Sequence, residues 1–186
     1  MKLFSLDAET TGLYGDSLAI AAEVSENGQI IAQFLGRLAD QPATTAAKAC
    51  GTEEDKFVEE VILPAILPIS TVYQTVEELE EAFWGFFQDH KNDSLVIAHM
   101  GSPVESGLFR RCVERDLDKR QWNGPFPGIH DVATLLQLLG EDASSVDAYV
   151  KKNGINVPFE GASHHPMYDA VAARVVWEHA YSNIVS

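Results

Sequence analysis

Apolar and polar positions along this 186-residue chain sort into a β-rich opening and a mostly helical remainder. Residues 2–9, KLFSLDAE, gather Leu3, Phe4 and Leu6 into a short apolar run that reads as a strand. Residues 17–25, SLAIAAEVS, read as a second strand, and residues 29–38, QIIAQFLGRL, as a third. Glu26-Asn27-Gly28 lies between the last two, and Asn-Gly is a favoured hairpin turn. Three antiparallel-capable strands therefore open the chain.

Helical spacing takes over further on. In TVEELEEAFWGFFQDH, 75–90, Val76, Leu79, Phe83 and Phe86/Phe87 recur at helical intervals behind a Thr75/Glu78 capping box. Its aromatics sit at core spacing. SLVIAH, 94–99, is apolar nearly throughout and reads as a central strand. Residues 106–117 are helical in pattern. Residues 126–140 give a short extended piece and a helix ending at Gly140. Residues 144–154 give a helix stopped by Gly154, and a last helix runs from about Pro166 to Ile184. Residues 39–74 break the rhythm and read as an elaboration. Within them 39–51 looks like a loop, and 52–67 like a short helix stopped by Pro64. The order predicts one α/β domain over 1–186: a mixed sheet, opening as an antiparallel meander and continuing with parallel strands, flanked by helices.

Composition changes this picture little. The chain is 46% hydrophobic and 22% charged. No stretch approaches the roughly 20 apolar residues of a membrane span. The N-terminus lacks a signal-peptide pattern. Cys50 and Cys112 form no motif and read as reduced thiols, so a cytoplasmic location is expected. The net charge of −15 argues against a basic face gripping long nucleic acid. A site holding divalent ions is still compatible with a phosphate-bearing substrate, because bound ions reverse the local sign.

The candidate chemistry starts at the end of the first strand. Asp7 and Glu9 alternate with their neighbours and share one strand face, about 7 Å apart along the backbone. Two carboxylates held that close repel, and a hard divalent cation between them relieves the repulsion. Thr10-Thr11-Gly12 gives the strand a tight exit. Near the C-terminus, ASHHPMYDA places Pro166 at a helix start, Asp169 in its first turn, and His164 and His165 just ahead. A histidine beside a metal-binding acid can serve as general base. In the middle, VIAHMGSPVESGLF ends a central strand at His99 and starts a helix at Glu105. Each feature alone also fits a solvated strand end or a charged helix start. Together, four carboxylates and a histidine are the parts of a two-metal hydrolase, whose ions about 4 Å apart stabilise the attacking and leaving oxygens of a phosphodiester.

These residues resemble the DEDD superfamily of 3′–5′ exonucleases, in its DEDDh (DnaQ-like) branch with a ribonuclease H-like fold. FSLDAETTGL matches the family's D-x-E-T-T-G-L. HHPMYDA matches its His, four residues, Asp, Ala, and that spacing selects His164 with Asp169. The middle motif departs: Met100 stands where the family has asparagine, Val104 where it has an aromatic residue, and Glu105 where it has aspartate. IHDVATLL resembles a common family segment, and Asp131 within it reads as structural. The resemblance implies that Asp7, Glu9, Glu105 and Asp169 hold two divalent ions, Mg²⁺ or Mn²⁺. It makes His164 the base, with His165 a neighbour. It implies that Thr10, Thr11, Gly12, Leu13 and His99 receive the 3′-terminal nucleotide of single-stranded or short DNA or RNA, releasing nucleoside 5′-monophosphates. A protein partner would fit the acidic balance. Two other readings compete: a catalytically weak scaffold or binding module of the same fold, and a phosphoesterase for small nucleotides.

Overall fold

A computed structural model of the chain describes residues 1–49, 56–116, 118 and 128–185. The strands are β1 (Lys2–Thr10), β2 (Ser17–Glu26), β3 (Gln29–Leu38), β4 (Val72–Tyr73), β5 (Ser94–Ala98) and β6 (Ile129–Asp131). They form a six-stranded sheet in the order β4-β3-β2-β1-β5-β6. The β1–β2 and β2–β3 pairs are antiparallel, whereas β1–β5, β5–β6 and β3–β4 are parallel. This is the expected ribonuclease H-like arrangement. Asn27 and Gly28 both take positive φ, 52° and 80°, as the tight β2–β3 turn requires.

Helices cover both faces. α4 (Val76–His90) and α5 (Val104–Arg115) pack on one, burying Phe4, Leu6, Ile20, Val24 and Val96 with Phe83, Phe87 and Phe109. Thr75 and Glu78 form the capping box that starts α4. α6 (Val132–Leu138), α7 (Val146–Asn153) and α8 (Pro166–Val185) cover the other, around Leu3, Ile97, Val176 and Trp177. Two buried charge sets clamp these layers. Glu80 of α4 accepts from Ser17, Arg111 and Arg115. Arg174 of α8 donates to Glu23 of β2 at 2.6 Å. Cys112 is a buried free thiol, pushed up to about 12 chiefly by burial; Cys50 lies outside the described residues.

The segment before α4 differs from its sequence reading. Residues 40–49, read as loop, form helix α1 (Asp40–Ala49). Pro42 sits in its first turn, where a missing N–H costs nothing, and the run is alanine-rich. A π-helical turn, α2 (Val58–Ile62), then leads into α3 (Leu63–Ile66). Pro64 therefore begins a short helix instead of stopping one, because the widened turn ahead of it accommodates the proline ring. Val58, Ile62, Leu63 and Ile66 pack on Leu18, Ala19 and Leu38, fixing the segment to the β2–β3 end of the sheet. The two-residue strand β4 is too short to leave a sequence pattern. Among the described residues no helix is long and apolar enough to cross a membrane.

Candidate active site

The parallel pairing of β1 with β5 is registered only from Lys2↔Ser94 to Ser5↔Ile97. β1 therefore runs on past its neighbour, and Asp7 and Glu9 stand on this overhang. Strand alternation turns both toward α8, the side on which Ser5 Oγ donates to Ala170 O at 2.6 Å. That contact fixes the first turn of α8, and Asp169 with it, beside β1. Carboxylate oxygens of Asp7, Glu9 and Asp169 lie within 4.8 Å of one another.

Glu105 approaches from the opposite layer. The overhang leaves the Ala8 N–H without a β5 partner, and Glu105 Oε1 accepts it at 3.1 Å. Glu105 is 3% exposed, so this is a buried bond that aims the carboxylate at the strand end. A Cβ on Gly101 would lie 3.1 Å from Ala98 Cβ and Ile129 Cγ2 and 3.9 Å from Glu105 Oε2. The Met100–Gly101 bend thus needs glycine to lie this close to the sheet.

The four acids repel strongly. Burial, reinforced by Glu105, Glu9 and Asp169, raises Asp7 well above the usual carboxylate range. Burial, with Asp169 and Glu105, lifts Glu9 to about 8. Burial also lifts Glu105 and Asp169 to about 7, against the backbone N–H groups that each accepts. Asp7 Oδ2 is buried and has no hydrogen-bond partner among the described residues. Native proteins seldom strand such an atom. An orphaned carboxylate oxygen beside two further acids is the hard, oxygen-only donor set that Mg²⁺ or Mn²⁺ takes, so the residues fit the ions.

The structure separates the two histidines. His164 has φ 70°, and its N–H donates to Asp169 Oδ2 at 2.8 Å. Its Nδ1 lies 3.7 Å from Glu9 Oε1, with the side chain 42% exposed. His165 packs against Phe159 with ring centroids 5.0 Å apart, and burial lowers its basicity. His164 therefore faces the acids, while His165 is engaged by Phe159.

A cleft of about 450 Å³ opens over this centre. Asp7, Glu9, Glu105, His164 and Asp169 line it, together with Leu13, His99 and Met100. Thr10, Thr11 and Gly12 lie outside the lining. Thr10 Oγ1 donates to Gly12 O, and Thr11 Oγ1 accepts from Asp16 N, so these hydroxyls build the loop that presents Leu13 at 57% exposure. His99 Nε2 lies 2.9 Å from Ala143 O. Asp131 accepts from the N–H groups of both Met100 and Ala133, which makes it structural, as its sequence context suggests. Sequence reasoning passed over Asp147 and Ser163, which also line the cleft and bond to each other; neither carries a local motif that would reveal it.

No protein-family sequence profile matches the chain, and no curated protein sequence does. Solved structures do. Exonuclease X, in complex with 5′ overhanging duplex DNA, is 16% identical over 99% of this chain and 93% of its own, with a TM-score of 0.57. Exonuclease I of E. coli, in complex with a 5cy-dT13 oligonucleotide, is 14% identical over 99% of this chain, with a TM-score of 0.56. This chain spans only 43% of that protein. The fold is shared with these exonucleases. The likeness is one of fold, and the case for chemistry rests on the side chains.

Proposed function

We propose that the protein is a metal-dependent 3′–5′ exonuclease that hydrolyses the terminal phosphodiester of single-stranded or short nucleic acids. The observation that carries this reading is the convergence of Asp7, Glu9 and Asp169 from β1 and α8, with Glu105 reaching the same overhang from α5. Like charges gathered in a buried site destabilise the fold unless a cation joins them. Asp7, Glu9 and Asp169 would hold one divalent ion; Asp7 and Glu105 would reach a second. Such ions, when bound, polarise the phosphoryl oxygens and acidify water.

The chain's own residues supply the remainder. His164, beside Glu9 and at the cleft surface, takes the proton from the attacking water. Leu13 and Met100 are apolar and exposed at the cleft, and they offer contact to the terminal nucleoside where basic residues are scarce. Stacking and apolar contact tolerate any base, which suits an enzyme working on strand ends. Release of the end as a nucleoside 5′-monophosphate leaves a new 3′-hydroxyl for the next round.

Product analysis tests the reading. An unlabelled oligonucleotide incubated with Mn²⁺ should yield nucleoside 5′-monophosphates. A small phosphodiester such as a nitrophenyl ester of thymidine 5′-monophosphate should turn over with a much lower kcat/KM. Preference for the small ester would make the protein a phosphoesterase instead.

A further inference from the structure

We infer that Phe57 is a positioning residue for the His164 imidazole, supplied by the segment between β3 and α4. This rests on the nuclease reading above and adds to it a residue from outside the acid-bearing motifs. The Phe57 and His164 rings meet edge to face, with centroids 5.1 Å apart and planes at 87°. Aromatic rings favour that geometry. Phe57 is 47% exposed, so burial gives it little reason to sit there. Its anchorage is firm nonetheless. It precedes the π-helical turn α2, whose Val58 and Ile62 are buried on the sheet. Single π turns recur at functional sites.

The histidine needs such a restraint. Its left-handed backbone is held by the bond from its N–H to Asp169, but its ring is not clamped by a hydrogen bond to Glu9, since Nδ1 and Oε1 are 3.7 Å apart. Phe57 supplies a wall for that ring. It leaves the imidazole on the Glu9 side of the cleft, where the base must stand to meet a water above the acids.

The test is a cycle of four proteins, wild type, Phe57→Leu, His164→Ala and the double variant, with Phe57→Tyr as the conservative replacement. Cleavage of a labelled oligonucleotide gives kcat and KM, and Mn²⁺-induced thermal stabilisation reports the acids independently. Phe57→Leu should lower kcat about tenfold, with KM and the Mn²⁺ response unchanged, as loss of alignment at a reacting group does. Phe57→Tyr should restore the rate. In the His164→Ala background, Phe57→Leu should cost nothing further, because its effect runs through the imidazole. An active wild type whose kcat ignores Phe57→Leu overturns the inference, as does an equal loss in both backgrounds. A wild type that binds Mn²⁺ but cleaves nothing overturns the nuclease reading itself, which is a separate result.

Discussion

Glu105 Oε1 accepts the backbone N–H of Ala8 across the edge where β5 has already ended. One side chain thus completes the β1 ladder and adds a negative charge to the cleft. Glu105→Gln keeps the acceptor without the charge, so it should melt no lower than the wild type and, above pH 7 without metal, higher. Glu105→Ala strands a buried N–H and should cost about 1–3 kcal/mol. Both should weaken metal-dependent activity, so urea titration of the pair separates the structural part from the chemical one.

The pH dependence follows from the acid cluster. Glu9 is lifted to about 8, Glu105 and Asp169 to about 7, and Asp7 is raised well above its ordinary value. The folded protein therefore holds protons that the unfolded chain releases above its ordinary carboxylate pKa values. This stability is fully present below about pH 4 and is lost as pH rises through 7 to 8. In EDTA, unfolding free energy should fall across that window. With Mn²⁺ the trend should reverse, since the cation binds the deprotonated acids.

Asp7→Asn removes a buried charge that Glu105, Glu9 and Asp169 all oppose. The variant should be more stable than the wild type at pH 8 in EDTA, because burial and the neighbouring carboxylates disfavour the charge that it removes. It should also lose the thermal stabilisation that Mn²⁺ gives the wild type. A variant that is more stable without metal and indifferent to it would tie the repulsion to ion binding.

The two histidines should differ sharply. His164→Ala should lower kcat by about 10²–10⁴, the usual contribution of a general base. His165→Ala, which removes a ring engaged by Phe159, should lower it less than about tenfold. Single-turnover assays at saturating Mn²⁺ make the comparison.

Met100 adopts φ 55° with 56% of its surface exposed. A left-handed conformation costs a side-chain-bearing residue about 1–2 kcal/mol, so Met100→Gly should stabilise the fold by roughly 0.5–1 kcal/mol after backbone entropy is deducted. The same change should raise KM, because an apolar contact in the cleft is lost. Chemical denaturation and steady-state kinetics on one preparation check both.

How much of this was legible in the sequence depended on the range of the interactions involved. The β2–β3 hairpin and the α4 cap are local devices, and Asn27-Gly28 and Thr75/Glu78 announce them. The acids could be paired because Asp7 and Glu9 share a strand face and the D-x-E-T-T-G-L pattern is specific. α1 departs from the loop reading because Pro42 falls in its first turn, where it does not break the helix. Pro64 was misread because a π turn cannot be seen in a 3.6-residue pattern. The Ala8–Glu105 bond, the Asp147–Ser163 contact and the meeting of Phe57 with His164 join residues distant in sequence, and no local spacing encodes them.

The most direct measurement is digestion of 5′-labelled single strands, DNA and RNA in parallel, with Mn²⁺, Mg²⁺ or EDTA, and with Asp7→Asn as the control. The account predicts a ladder shortening from the 3′ end that needs the metal and vanishes in EDTA and in the variant. Intact strands of both kinds, with a protein that Mn²⁺ still stabilises, would contradict it.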